Sequence, residues 1–230
     1  MAYDLLVGWM LLVIVGNAMP GADFFCITSV SLRSRHLGIL CALGLQTGVI
    51  CQSLIACFGT ITIANYNMTA FKAIQVIGSL YLLYLAYKIL VSVFKREREI
   101  KILYAQAQAE GKDLKALDKD LQIEASASMN GWQAYRTGFL CNIFNPKCFI
   151  FMATVLPQFV DTSLNNVGYQ EFILCLVNLV LGIIHWICLA FLVSYLANKF
   201  ASAMFRVRLE KIGGFCLGII GLGLLVSLVF

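Results

Sequence analysis

Six apolar stretches, at approximately 5–31, 37–63, 70–94, 132–157, 169–197 and 209–230, divide this chain, with polar positions gathered between them. A bilayer-spanning helix needs about 20 mostly apolar residues, so each stretch predicts a transmembrane helix. Several exceed that length, which leaves room for tilt or for a break. The one long polar interruption, "REREIKILYAQAQAEGKDLKALDKDLQIEASASMNG" (96–131), places Leu114, Leu117 and Leu121 at helical spacing among alternating charges. It reads as a solvated, partly helical connection broken near Gly111. A linker is the simple reading, and a regulatory docking segment is the alternative.

The interruption separates a first half, 1–95, from a second, 132–230, each with three apolar stretches. The third and sixth, "FKAIQVIGSLYLLYLAYKIL" and "VRLEKIGGFCLGIIGLGLLV", both start with a basic residue and then carry a glycine, Gly78 and Gly214. The first holds "NAMPG" and the fourth "NIFNPK", each an Asn followed three or four residues later by Pro. An odd number of spans per half inserts the second half upside down. The expectation is an all-α membrane protein of six helices, arranged as two inverted three-helix repeats with helices 1 and 4 broken.

Composition sharpens this picture. The chain is 60% hydrophobic and only 13% charged, too little charge to cover a soluble domain. Of 17 Lys and Arg, 15 flank or fill the first, third and fifth connections; only Lys72 and Lys147 fall outside the pattern. Basic loops face the cytoplasm, so the 96–131 connection is expected there and both termini on the periplasmic side. The start, "MAYDLLVGWM", has no basic n-region and carries Asp4, so the first apolar stretch reads as a retained helix rather than a signal peptide. The nine Cys include no C-x-x-C pair and lie mostly in apolar segments, as small packing residues.

Candidate chemistry lies at the breaks. Pro20 and Pro146 interrupt backbone pairing, and Gly21 loosens it further; in hydrocarbon the freed groups must find other partners. Either proline alone would make a simple kink. Asp23 and Lys147, however, each stand near the middle of an apolar stretch, where a charge costs about 2.5–3.5 kcal/mol. Facing one cavity, they would suit an amino acid zwitterion: Lys147 for a carboxylate, Asp23 for an ammonium group. Asn17, Asn142 and Asn145 can each donate and accept hydrogen bonds there.

The segments "GNAMPGADFF", "LYLLYLAYKIL" and "GFLCNIFNPKCFIFMATVLPQFV" resemble the lysine exporter (LysE) family, especially its RhtB-like homoserine/threonine efflux branch. The resemblance covers nearly the whole chain. It implies an exporter of amino acids or their derivatives in the bacterial inner membrane, driven by the proton motive force. The family's first motif usually reads Pro-Gly-Pro-Asp, and this chain has Ala22 at the second proline; Asn145-Pro146-Lys147 is intact.

Gln46, Thr47, Gln52 and Ser53 are candidates to line the cavity or to bridge helices. His185, beside Trp186, could relay protons or hydrogen-bond a neighbouring helix. Gly44-x-x-x-Gly48 and Gly214-x-x-x-Gly218 permit close helix approach, within the bundle or across a homodimer seam. The expected partners are a small amino-acid-like solute, protons and the bilayer, with no nucleic acid, metal or cofactor. No phosphate-binding G-x-x-x-x-G-K-[ST] occurs, and nothing else points to an enzyme. A divalent-cation exporter of related architecture is the alternative, disfavoured because the Cys look scattered. A membrane thiol redox protein is the other, disfavoured by the missing C-x-x-C.

Overall fold

The computed structural model describes residues 3–19, 21–66, 68–161, 164, 166–199 and 202–226, and all regular structure among them is helical. The first apolar stretch forms two helices, α1 (Tyr3–Ala18) and α2 (Ala22–Ser31), set at 57° to one another. Pro20 lies outside the described residues. Its chemistry still bears on its neighbours, because a proline has no N–H for the carbonyl four residues back, that of Gly16. The second and third stretches are unbroken: α3 (Arg35–Tyr66) and α4 (Met68–Ala109).

At 1.5 Å per residue α4 is about 63 Å long, roughly twice the hydrocarbon thickness. Its second half therefore carries the charged sequence as a direct extension of an apolar helix. Gly111, at φ +66°, ends it. Lys112 N–H donates to the Ala107 carbonyl and Gly111 N–H to that of Gln108, an arrangement that needs a left-handed residue and so a glycine. Then α5 (Leu114–Ala127) begins on Asp113, whose carboxylate accepts from Lys115 N–H at 2.9 Å.

The fourth stretch is more fragmented than its single proline suggests. After α6 (Gly131–Ile143), opened by an Asn130/Gln133 capping box, the chain breaks at Phe144 and Asn145. It resumes as α7 (Pro146–Ile150), widens through a π-helical turn (Phe151–Val155) and tightens into a 3₁₀ turn (Leu156–Phe159). Two long helices complete the chain, α8 (Val167–Lys199) and α9 (Ala203–Val226). Within them and α3, Arg35–Ile55 and Val167–Ala197 are each long and apolar enough to cross a membrane, and the bent α1–α2 pair makes a third such candidate.

In the bundle α3 packs on α6 and α8, while α9 packs along α4. The α3–α6 seam is tight because glycines face carbonyls: a methyl on Gly44 would overlap the Tyr135 carbonyl, and one on Gly138 that of Cys41. Gly48 sits against Asn142, and Gly214 and Gly218 face Leu90 and Ala86 of α4. Both small-residue motifs are thus occupied by packing inside the bundle.

Among the described residues an apolar cluster of Val93, Ile100, Ala203 and Val207 lies between α4 and α9, and two others flank the broken helices. The larger joins Cys26, Ile27, Leu45, Leu82, Trp186 and Leu217; the smaller joins Trp9, Val13, Met152, Leu156 and Leu174. The smaller is pinned by Trp9, whose Nε1–H donates to the Leu174 carbonyl at 2.8 Å and whose ring stacks on Phe151. The Cys are less scattered than the sequence suggests. Cys26, Cys41 and Cys141 meet in the larger cluster, with Cys26 and Cys41 sulfurs 3.8 Å apart. Among the described residues, no three His, Cys, Asp or Glu side chains are placed to hold a metal ion.

Charged groups gather at the far ends of α4 and α9. Buried Glu210 accepts a two-pronged contact from Arg96, with Arg33 at 4.0 Å. Glu97 takes Lys211 at 2.5 Å and Lys101 at 3.1 Å, and these two ammonium groups hold its carboxyl below the usual range. Asp118 of α5 accepts from Tyr104 of α4 and, at 2.7 Å, from the Ala203 N–H that opens α9. One carboxylate therefore ties the connecting segment to two helices.

Candidate functional site

Between the two apolar clusters the interrupted helices leave a cavity of about 80 Å³, room for several water molecules. Val13 and Met152 wall it on one side, and Ala22, Leu45 and Trp186 on the other. Both breaks open into it. Asn17, Gly21 and Asp23 line it from the first, and Asn142, Asn145, Lys147 and Cys148 from the second.

Asp23, 6% exposed, sits in the first turn of α2, where the positive end of the helix dipole favours a carboxylate. Its Oδ2 accepts from Asn142 Nδ2 at 3.0 Å and from the Cys148 thiol at 3.2 Å. Its Oδ1 is buried without a partner. Asn142 is fully buried, and its own carbonyl at the end of α6 accepts both from Asn145 N–H and from Gln52 Nε2, each at 2.8 Å. Gln52 thus ties α3 to the break from the side. Asn145 caps α7: its Oδ1 accepts from Lys147 N–H at 3.1 Å. Pro146 follows as the first residue of α7, where its missing N–H costs nothing.

Lys147 reaches the other way. Its Nζ lies 3.5 Å from the Gly16 carbonyl, beside Gly21. That carbonyl is the one Pro20 leaves without a helical donor, and the C-terminal end of α1 favours a cation. Among the described residues Asp23 and Lys147 do not pair with one another; they stand at separate places around one cavity. Gln46 also lines it, and Gln46 Oε1, Gln52 Oε1 and Asn142 Oδ1 are, like Asp23 Oδ1, buried and unpartnered. Four acceptors without donors, one of them a carboxylate, fit a donor-rich cationic group such as a primary ammonium.

Three residues singled out from the sequence, Thr47, Ser53 and His185, do not line the cavity; Ser53 is buried elsewhere on α3. Thr47 bridges helices: it donates to the Leu43 carbonyl and accepts from Tyr135 of α6 at 2.8 Å. His185 stands behind Trp186, its ring edge-on to the indole at 4.6 Å. Conversely, sequence reasoning missed Cys148 and a stripe on α8, Asn178, Gly182 and Trp186. The stripe had a signal, since these residues recur every four positions on one helical face and Asn178 is polar in an apolar run.

The family model for LysE type translocators matches residues 14–228. The chain belongs to the LysE type translocator family. An uncharacterized membrane protein of Bacillus subtilis, YrhP, is 26% identical over 212 residues, spanning 91% of this chain and 92% of that protein. The threonine efflux protein of Escherichia coli K12 is 30% identical over 156 residues, 67% of this chain and 65% of its own length. The threonine efflux protein of Salmonella typhimurium is 27% identical over the same length. No solved structure matches the chain. Within this LysE-type chain both breaks fall in the matched region, as do Asp23 and Lys147.

Proposed function

We propose that this protein is a secondary exporter of small zwitterionic amino acids or close derivatives across the bacterial inner membrane. The observation that carries the reading is the cavity's split polarity. Unpartnered acceptors on Asp23, Gln46, Gln52 and Asn142 suit an α-ammonium group, and Lys147, held among the described residues by a carbonyl at 3.5 Å, suits the α-carboxylate. The charged pair sums to zero, which matches a neutral amino acid better than a dibasic one. Threonine efflux relatives support the same class.

The arrangement of helices is consistent with two inverted repeats, 1–95 and 132–230, joined by a cytoplasmic 96–131 connection with both termini periplasmic. Exchanging each helix for its counterpart in the other half maps the α3–α6 packing onto that of α8 with α1 and α2, and maps α4–α9 onto itself. Proton drive suffices energetically: one proton crossing about 150 mV releases roughly 3.5 kcal/mol, enough for a few-hundred-fold solute gradient. The test is efflux of labelled amino acids from loaded proteoliposomes under an imposed pH gradient. Gradient-dependent efflux of small neutral amino acids is the expected result. A preparation that moves none of them, or only lysine and arginine, would overturn the reading.

A further inference from the structure

A second cavity, of about 600 Å³, lies among the charged extension of α4, α5 and the start of α9. The two cavities stand at opposite ends of α2. Asp23 in its first turn lines the smaller, and Leu32 at its C-cap lines the larger. One wall of the larger is apolar, built from Leu32, Ile100, Leu121 and Val207. The other carries guanidinium groups.

Arg206, near the start of α9, lines this cavity and is only 8% exposed. Its Nε and Nη2 both donate to the Ala197 carbonyl at 3.3 Å, and its Nη1 is buried without a partner. Among the described residues no carboxylate forms an ion pair with it. Asp118 on α5 is taken by Tyr104 and by the Ala203 N–H. Arg96 adds a second donor of the same kind: its two terminal nitrogens hold Glu210, while its Nε is buried and unpartnered. Arg33 leans on that same carboxylate at 4.0 Å. Three guanidinium groups therefore stand against one buried carboxylate. The remaining charges on the rim, Lys95 with Glu99 at 3.9 Å and Glu124, are exposed to solvent.

Buried charges are paired as a rule, so Arg206 has room for a counter-charge that the chain does not supply. We infer that this cavity binds an anionic phosphate-bearing ligand, its phosphate on Arg206 and Arg96 and its body against the apolar wall. A guanidinium's planar fork matches phosphate oxygens, and Ala203 brings the positive end of the α9 dipole to the same place. Size points the same way. A bare phosphate would leave most of the space unfilled, whereas cavities of about 300–1,000 Å³ hold ligands with a sizeable body. Two sources offer this chemistry: an anionic phospholipid, and a soluble phosphate ester. The site does not depend on what the protein exports, and its test needs no transport.

The experiment is thermal melting of the full-length protein in detergent, with phosphatidylglycerol, phosphatidylcholine or adenosine 5′-monophosphate added in turn. A ligand at saturating excess should raise the wild-type midpoint by about 5 °C or more. A rise with phosphatidylglycerol and not with phosphatidylcholine or the nucleotide identifies a lipid; a rise with the nucleotide identifies a soluble ester. Arg206→Gln should lose most of the rise. Arg208→Gln, which removes an exposed charge from the same helix outside the cavity, should keep it. If Arg206→Gln does not survive extraction, Arg206→Lys takes its place; it keeps the charge, loses the fork, and should lose at least half of the rise. No rise with either anionic probe would overturn the proposal. So would a rise that the Arg206 variants keep in full, or one that Arg208→Gln loses equally.

Discussion

Replacing Asp23 by Asn changes one atom of consequence. The Oδ2 position accepts from Asn142 and Cys148, and an Asn amide oxygen placed there keeps both contacts. The new NH₂ then falls at the Oδ1 position, which is buried and has no partner in the native chain. Because Lys147 rests on the Gly16 carbonyl rather than on Asp23, the substitution strands no opposite charge. The structural cost is the difference between charged and neutral hydrogen bonds, about 1 kcal/mol. The functional cost is larger. An ammonium group entering the cavity meets donors where it needs a carboxylate, and removing one partner of a buried ion pair costs about 3–5 kcal/mol. At 1.36 kcal/mol per factor of ten, export should fall roughly a hundred- to several-thousand-fold. Initial efflux rates from proteoliposomes at matched protein density measure the second quantity, and thermal unfolding in detergent the first. Asp23→Asn protein exporting within about threefold of wild type would refute the assignment. So would equal losses of stability and transport, which would make Asp23 a structural residue.

Lys147→Gln should likewise stop export, and the double variant with Asp23→Asn should remain folded yet inactive; near-wild-type transport from the double variant would mean the charges only balance each other. Gly138→Ala forces a methyl into the Cys41 carbonyl, and a cost of about 1–3 kcal/mol should appear as a lowered detergent melting temperature; an unchanged melting temperature would show that the seam has slack. Burial, then the hydrogen bond to Asp118, pushes the Tyr104 phenol up to about 12. The neutral phenol is favoured in the folded protein, so its contribution to docking α5 is complete below pH 10 and lost as pH rises through about 12. A late component in 295 nm absorbance, missing from Tyr104→Phe, checks this, and faster tryptic cleavage at 112–119 should follow the same pH range.

The parts legible in the sequence were those where backbone chemistry contradicts its surroundings. Proline, glycine and Asn clustered in an apolar run admit few readings, and Asp23 and Lys147 declared themselves by their cost in hydrocarbon. Side-chain partners were not legible in the same way. Thr47 and Gln52 lie five residues apart on α3, nearly opposite one another around the helix. Nothing in the chain says which face meets α6 by a hydroxyl bridge and which meets the cavity. Cys26 and Cys141 are remote in sequence, and their meeting follows from the packing of α2 on α6 rather than from either local segment. The π-helical turn at Phe151–Val155 has no sequence signature. Its first residue, Phe151, is the one that stacks on Trp9 at 5.3 Å.

The glycine contacts between α3 and α6 have a mechanical consequence. Where Gly44 meets the Tyr135 carbonyl and Gly138 meets that of Cys41, backbone lies on backbone with no layer of side chains between. Side chains can change rotamer to let helices slide; interlocked carbonyls cannot, and packed interiors switch between discrete arrangements rather than deform continuously. These two helices therefore behave as one rigid beam. Any travel that opens the cavity must come from pieces jointed at its ends, namely α1 and α2 across residues 19–21 and the short run from Asn145 to Phe159. Asp23 and Lys147 both ride on the jointed pieces, while Gln46 and Gln52 are fixed to the beam.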